Sequence, residues 1–95
     1  MNITFTLKGA KTIKKLYVRL YQNKLDLSVS TDMMLMDLDW DAENQSIKND
    51  AESNLNIQEL KVSILRRFNK DFSSGVIIDK AWLQKCVKTS FMRPN

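Results

Sequence analysis

Tyr17, Arg19 and Tyr21 stand at alternate positions of one short stretch, with Lys8, Lys11, Lys14 and Lys15 before them and Asn23 and Lys24 close behind. Ring, guanidinium, amide and ammonium groups in this pattern suit a polyanion. Ammonium groups neutralise phosphates, while Arg and Asn form hydrogen bonds with base edges. The first acidic residue of the chain is Asp26, so nothing upstream opposes that attraction. The same inventory argues against catalysis. There is no histidine, which removes the usual general base, the common serine and cysteine triads and most zinc sites. No catalytic residue, cofactor, metal ion or small-molecule substrate is expected.

Strands must position these groups. Ile3 to Leu7, Leu16 to Gln22 and Leu25 to Ser30 alternate apolar and polar residues. Side chains of a strand alternate between its two faces. Ile3, Phe5, Leu7, Leu16, Val18, Leu20, Leu25, Leu27 and Val29 therefore share a core face. Thr4, Thr6, Tyr17, Arg19, Tyr21, Ser28 and Ser30 share the other, which carries no aliphatic residue. A two-residue loop at Asn23-Lys24 sets Tyr21 opposite Asp26, Leu20 opposite Leu27, Arg19 opposite Ser28 and Val18 opposite Val29. Lys8 to Lys15 reads as a Lys-rich loop joining the first two strands. A three-stranded antiparallel sheet is the expectation.

Ninety-five residues, 43% of them hydrophobic, suffice for one packed core. The net charge of +4 conceals a strong asymmetry: residues 1–24 carry +6, residues 25–50 carry −6 and residues 51–95 carry +4. A basic amino-terminal sheet is an electrostatic footprint for nucleic acid. Lone Cys86 forms no internal disulfide and reads as a small buried hydrophobe. Lysines interrupt the amino terminus before an apolar run reaches signal-peptide length, and no stretch approaches a membrane span. A cytoplasmic location without membrane contact is expected.

The remainder reads as an irregular connection, Thr31 to Asn49, followed by helices. Ile57, Leu60, Ile64 and Phe68 mark a helical stripe from Asp50, the expected N-cap, to about Asn69, with Leu55, Val62 and Leu65 extending burial on a second flank. Ser73-Ser74-Gly75 breaks it. Asp79 caps a second helix from Lys80 to about Ser90, carrying Trp82, Leu83, Cys86, Val87 and Phe91, before Pro94 stops the pattern. Strands followed by helices imply an α+β class: a three-stranded antiparallel sheet packed on one main helix, then a second, carboxy-terminal helix. Asp37-Leu38-Asp39-Trp40-Asp41 has alternate carboxylates, yet Lys48 stands where a calcium loop needs its bidentate Glu, so a solvated loop is expected. Trp40 and Trp82 read as core anchors, and Met33, Met34 and Met36 as adaptable core filling.

Leu16-Tyr17-Val18-Arg19-Leu20, the Asn23-Lys24 turn, Leu27-Ser28-Val29-Ser30-Thr31, Trp40-Asp41, a helix with Asn54, Ile57, Leu60 and Ile64, and Ser74-Gly75-Val76-Ile77 follow one another in an order that resembles the amino-terminal arm-binding domain of tyrosine-recombinase integrases of mobile genetic elements. The resemblance spans nearly the whole chain. It implies a non-catalytic domain gripping double-stranded DNA, with the catalytic domain of the parent recombinase far downstream and other integrase domains or subunits as further partners. Carried onto this chain, DNA contacts fall on Tyr17, Arg19, Tyr21, Asn23 and Lys24, with Lys14 and Lys15 preceding. Lys8 and Lys11 add phosphate contacts from the loop. Two departures stand out: Asp32, where the family often has Gly, and Ala42, Glu43 and Asn44, where its members are more basic. Residues 1–75 are then the DNA-binding unit, and residues 76–95 a helix and the start of a linker towards a core-binding domain. The rival expectation is a protein-interaction module using the acidic Met-rich segment from Asp32 to Glu43 or the last helix.

Overall fold

A computed structural model describes residues 2–91, without the side chains of Ser90 and Phe91. The expected stop at Pro94 and the packing of Phe91 lie outside the described part. Strands β1 (Asn2–Lys8), β2 (Ile13–Gln22) and β3 (Leu25–Met36) form an antiparallel sheet in the order β1-β2-β3. The hairpin register is the expected one: Tyr21 pairs with Asp26, Leu20 with Leu27, Arg19 with Ser28 and Val18 with Val29. Asn23 takes the left-handed backbone (φ 53°) that a tight hairpin turn demands and Asn tolerates. Ile3, Phe5, Leu16, Val18, Leu20 and Val29 are buried on one face. Alternation and burial agree because one side of the sheet must exclude water.

β2 and β3 are both longer than their alternation suggests. The Lys8 to Lys15 loop shrinks at both ends, because Lys8 pairs with Lys15 and β2 begins at Ile13. Beyond Ser30 the β3 strand bulges instead of ending: Ser30 lies opposite Tyr17 and Met34 opposite Lys15. Three β3 residues thus face Leu16 alone. The side chains of the bulge satisfy its backbone. Buried Thr31 donates its hydroxyl to the Leu16 carbonyl (2.8 Å) and accepts from Met33 N (3.3 Å), while Ser30 Oγ accepts from Asp32 N (3.1 Å). Asp32 sits at φ 63°, a conformation in which Gly is commonest and Asp tolerable.

Helix α1 (Ala51–Ser73) starts where its cap dictates, with Asp50 accepting from Ser53 N (3.0 Å) and Ser53 Oγ (2.8 Å). Its buried stripe is Ile57, Leu60, Ile64 and Phe68. Leu55 and Val62 are exposed, contrary to the expected second flank. At 3.6 residues per turn they lie almost opposite that stripe. The helix outlasts Asn69 and ends at Ser73, where Gly75 (φ 80°) lets Val76 N reach the Asp71 carbonyl (2.9 Å). Helix α2 (Lys80–Phe91) is capped by Asp79, whose carboxylate accepts from Trp82 N (2.9 Å). It packs against α1 and β3, and Leu83, Cys86 and Val87 join the same core as the sheet. Trp82 donates its indole N–H to Asp71 (2.8 Å) and meets Phe68 edge-on, tying the helices together.

The connection from β3 to α1 is more ordered than its composition suggests. After a 3₁₀ turn at Asp37–Asp39, β4 (Trp40–Asp41) and β5 (Ser46–Ile47) form a small hairpin. Asn54 holds it by accepting from Ile47 N (2.7 Å) and donating to Ile47 O (2.8 Å). Gln45 Oε1 accepts from Phe5 N (2.6 Å), satisfying one N–H on the open edge of β1. No helix among the described residues is long and apolar enough to cross a membrane.

Candidate nucleic-acid interface

The face of the sheet turned away from the helices is built from cross-strand rows. Asn2, Tyr21 and Asp26 form one row; Thr4, Arg19 and Ser28 the next; Thr6, Tyr17 and Ser30 a third; and Lys8, Lys15 and Met34 a fourth, with Ile13 and Met36 beyond. The central rows are aromatic, hydroxyl-bearing and basic, as the alternation implies. The far row is not. Continuing β3 past the bulge puts Met34 and Met36 beside Ile13 on this face, all three exposed. The face therefore carries aliphatic residues after all. Met33, on the other side, packs against the core, so core filling describes only one of the three methionines.

Five of the nine candidate side chains, Lys8, Lys15, Tyr17, Arg19 and Tyr21, gather on this surface, and Lys24 stands at its hairpin turn. Asn23 shares that turn, and Lys11 lies in the loop between β1 and β2. Lys14 does not join them. Its place in β2 has the parity of Leu16, and its ammonium bridges Asp37 (2.6 Å). The acidic turn that follows β3 thus takes up one cation of the basic block.

Two cations of this face, Lys8 and Arg19, are held by their neighbours. Lys8 Nζ lies 4.9 Å from the centre of the Tyr17 ring and 3.5 Å from Ser28 Oγ. Arg19 lies over the Tyr21 ring at 5.3 Å. Its Nε and one terminal nitrogen donate to the two oxygens of Asp26, at 2.8 and 2.7 Å. These charge-assisted hydrogen bonds raise the Arg19 pKa and hold the Asp26 carboxyl below the usual carboxylate range. Both side chains remain about half exposed. Solvent screening makes such a pair a weak source of stability and leaves orientation as its main effect.

Asp26 is the residue that reasoning from basic groups passes over. Its signal lay in the hairpin register: an acid opposite Tyr21 is diagonal to Arg19, within reach of a long side chain. Elsewhere, Asp41 accepts from Asn44 N (3.1 Å) and Nδ2 (2.8 Å), a turn-stabilising role. Cys86 is buried, and burial pushes its thiol up, away from the reactive thiolate. No family profile, curated protein or solved structure matches this chain.

Proposed function

We propose that this chain is a non-catalytic domain that grips double-stranded DNA through the outward face of its sheet, in the manner of the arm-binding domains of tyrosine-recombinase integrases. The carrying observation is the run of rows from Arg19 through Tyr17 to Lys8 and Lys15 on one exposed face. Lys8 and Lys15 are direct cross-strand neighbours. Like charges so placed repel and lower stability in the free protein. A polyanion relieves that repulsion. Asp32 supports the same reading: the position where the family often has Gly adopts the left-handed backbone that Gly favours.

In this reading Arg19 and Asn23 contact base edges, Tyr17, Tyr21 and the hydroxyl residues position the backbone, and Lys8, Lys11, Lys15 and Lys24 hold phosphates. The catalytic domain belongs to a longer parent recombinase acting in the cytoplasm. One observation favours a second reading. Exposed Ile13, Met34 and Met36, with Leu38 nearby in sequence, form an apolar end to the face that another integrase domain or subunit could cover.

The test is an amide chemical-shift titration with a generic duplex at low and then higher salt. Shifts are expected on Lys15 to Lys24. For about four to six neutralised phosphates, log affinity falls against log salt with a slope of about −4 to −5. Lys15→Glu should abolish most binding, whereas Lys14→Glu, on the opposite face, should weaken it much less. A flat salt dependence, or shifts confined to Asp32–Glu43 or α2, overturns the DNA reading in favour of protein docking.

A further inference from the structure

We propose that Asp26 is a positioning residue that aims Arg19 at guanine, so that the Arg19–Asp26 pair forms a base-specific subsite on the sheet. This rests on the DNA reading above and adds which base is read and which residue decides it. A guanidinium has five N–H groups in a rigid plane. Arg19 gives one from Nε and one from a terminal nitrogen to the carboxylate of Asp26. That uses the side edge of the fork. The end edge keeps two parallel N–H groups, one from each terminal nitrogen. Guanine presents O6 and N7 as paired acceptors in the major groove, and a bidentate arginine is their usual partner.

The surroundings fix the plane as well as the edge. Asp26 reaches Arg19 diagonally across β2 and β3, and Tyr21 lies beneath the guanidinium at 5.3 Å. An arginine held on two sides loses little side-chain freedom when it meets a base. Asp26 also excludes competitors: its negative charge disfavours a phosphate at this point, leaving phosphate capture to the Lys8 and Lys15 row. The alternative is that Asp26 merely masks Arg19. The two roles predict opposite signs on removal of the carboxylate.

The experiment selects bound sequences from a duplex pool randomised over one helical turn, using wild type, Arg19→Ala, Asp26→Ala and Asp26→Asn, each checked for an unchanged fold by circular dichroism. Wild type should enrich guanine at a defined position, and Arg19→Ala should lose that preference. Asp26→Ala should reduce it by about tenfold while leaving affinity for random DNA equal or higher, since an acid has been removed. Asp26→Asn, which keeps one acceptor, should retain part of it. Replacing guanine N7 by C–H at that position should weaken wild type and leave Asp26→Ala nearly unaffected. Tighter binding by Asp26→Ala with unchanged guanine preference overturns the inference while preserving the DNA reading. Absence of salt-sensitive binding by wild type to any duplex overturns both.

Discussion

The two halves of the β2–β3 ribbon differ although the same strands make them. From Tyr17 to Gln22 the pairing with Leu25 to Ser30 is regular, set by a turn of two residues. From Ile13 to Lys15 the pairing with Met34 to Met36 follows a bulge and depends on the Thr31 hydroxyl and the left-handed Asp32. Their outward faces differ too: Tyr, Arg, Asp and Ser in the first half, Ile, Lys and Met in the second. The near half carries the proposed base-reading surface, and the far half combines Lys15 with an apolar end. A hairpin close to its turn is specified by local sequence. The same hairpin further out needs partners to keep its register, because a slip of one residue would exchange its two faces.

The strongest contrast should come from the core. Leu20→Ala, at a fully buried position of the near half, should cost about 2–5 kcal/mol in urea unfolding, and Leu35→Ala, half-buried beyond the bulge, clearly less. Equal losses would show that both halves are equally anchored. Thr31→Val preserves shape and removes the hydroxyl that serves Leu16 and Met33; about 1–3 kcal/mol should be lost. Amide hydrogen exchange should then quicken in Ile13–Lys15 and Met34–Met36 before it does in the near half. Asp32→Val places a β-branched residue in a left-handed conformation and should cost about 1–2 kcal/mol, whereas Asp32→Gly should be tolerated.

The smallest effect is acid sensitivity. Asp26 in the near half and Asp50 at the α1 cap both have pKa values lowered in the folded state, by hydrogen bonds from Arg19 and from Ser53 respectively. The folded protein thus binds fewer protons than the unfolded chain as pH falls past the ordinary carboxylate value. Their contribution is complete above about pH 5 and disappears as pH falls through the lower native values. Asp26→Ala and Asp50→Ala should each flatten the decline of the melting temperature in acid. An unchanged profile in Asp26→Ala would mean that its pairing with Arg19 is not maintained in solution.

Much of the candidate site was legible because it lies on regular strands. Tyr17, Arg19 and Tyr21 fall on one face by parity alone, and the turn at Asn23 sets their opposites. The fates of the lysines were not legible. Lys14 and Lys15 are adjacent in sequence and equal in charge, yet strand geometry sends them to different faces, and Asp37 claims Lys14 only because β3 runs on to Met36. In α1, hydrophobicity alone assigns Leu55 and Val62 to the core. The actual stripe is narrower, since one sheet and one short helix cover only part of its circumference.

The α+β class, the β2–β3 register near its turn, the Asp50 and Asp79 caps and the buried stripe of α1 follow from the order of residues along the chain. Each depends on groups a few residues apart, whose periodicity and hydrogen-bonding chemistry act locally. The continuation of β3 past its bulge, the docking of α2 against α1 and β3, and the bond of Gln45 to the Phe5 N–H on the β1 edge arise only in the folded chain. These join residues distant in the chain, where burial and hydrogen bonding outweigh any local preference.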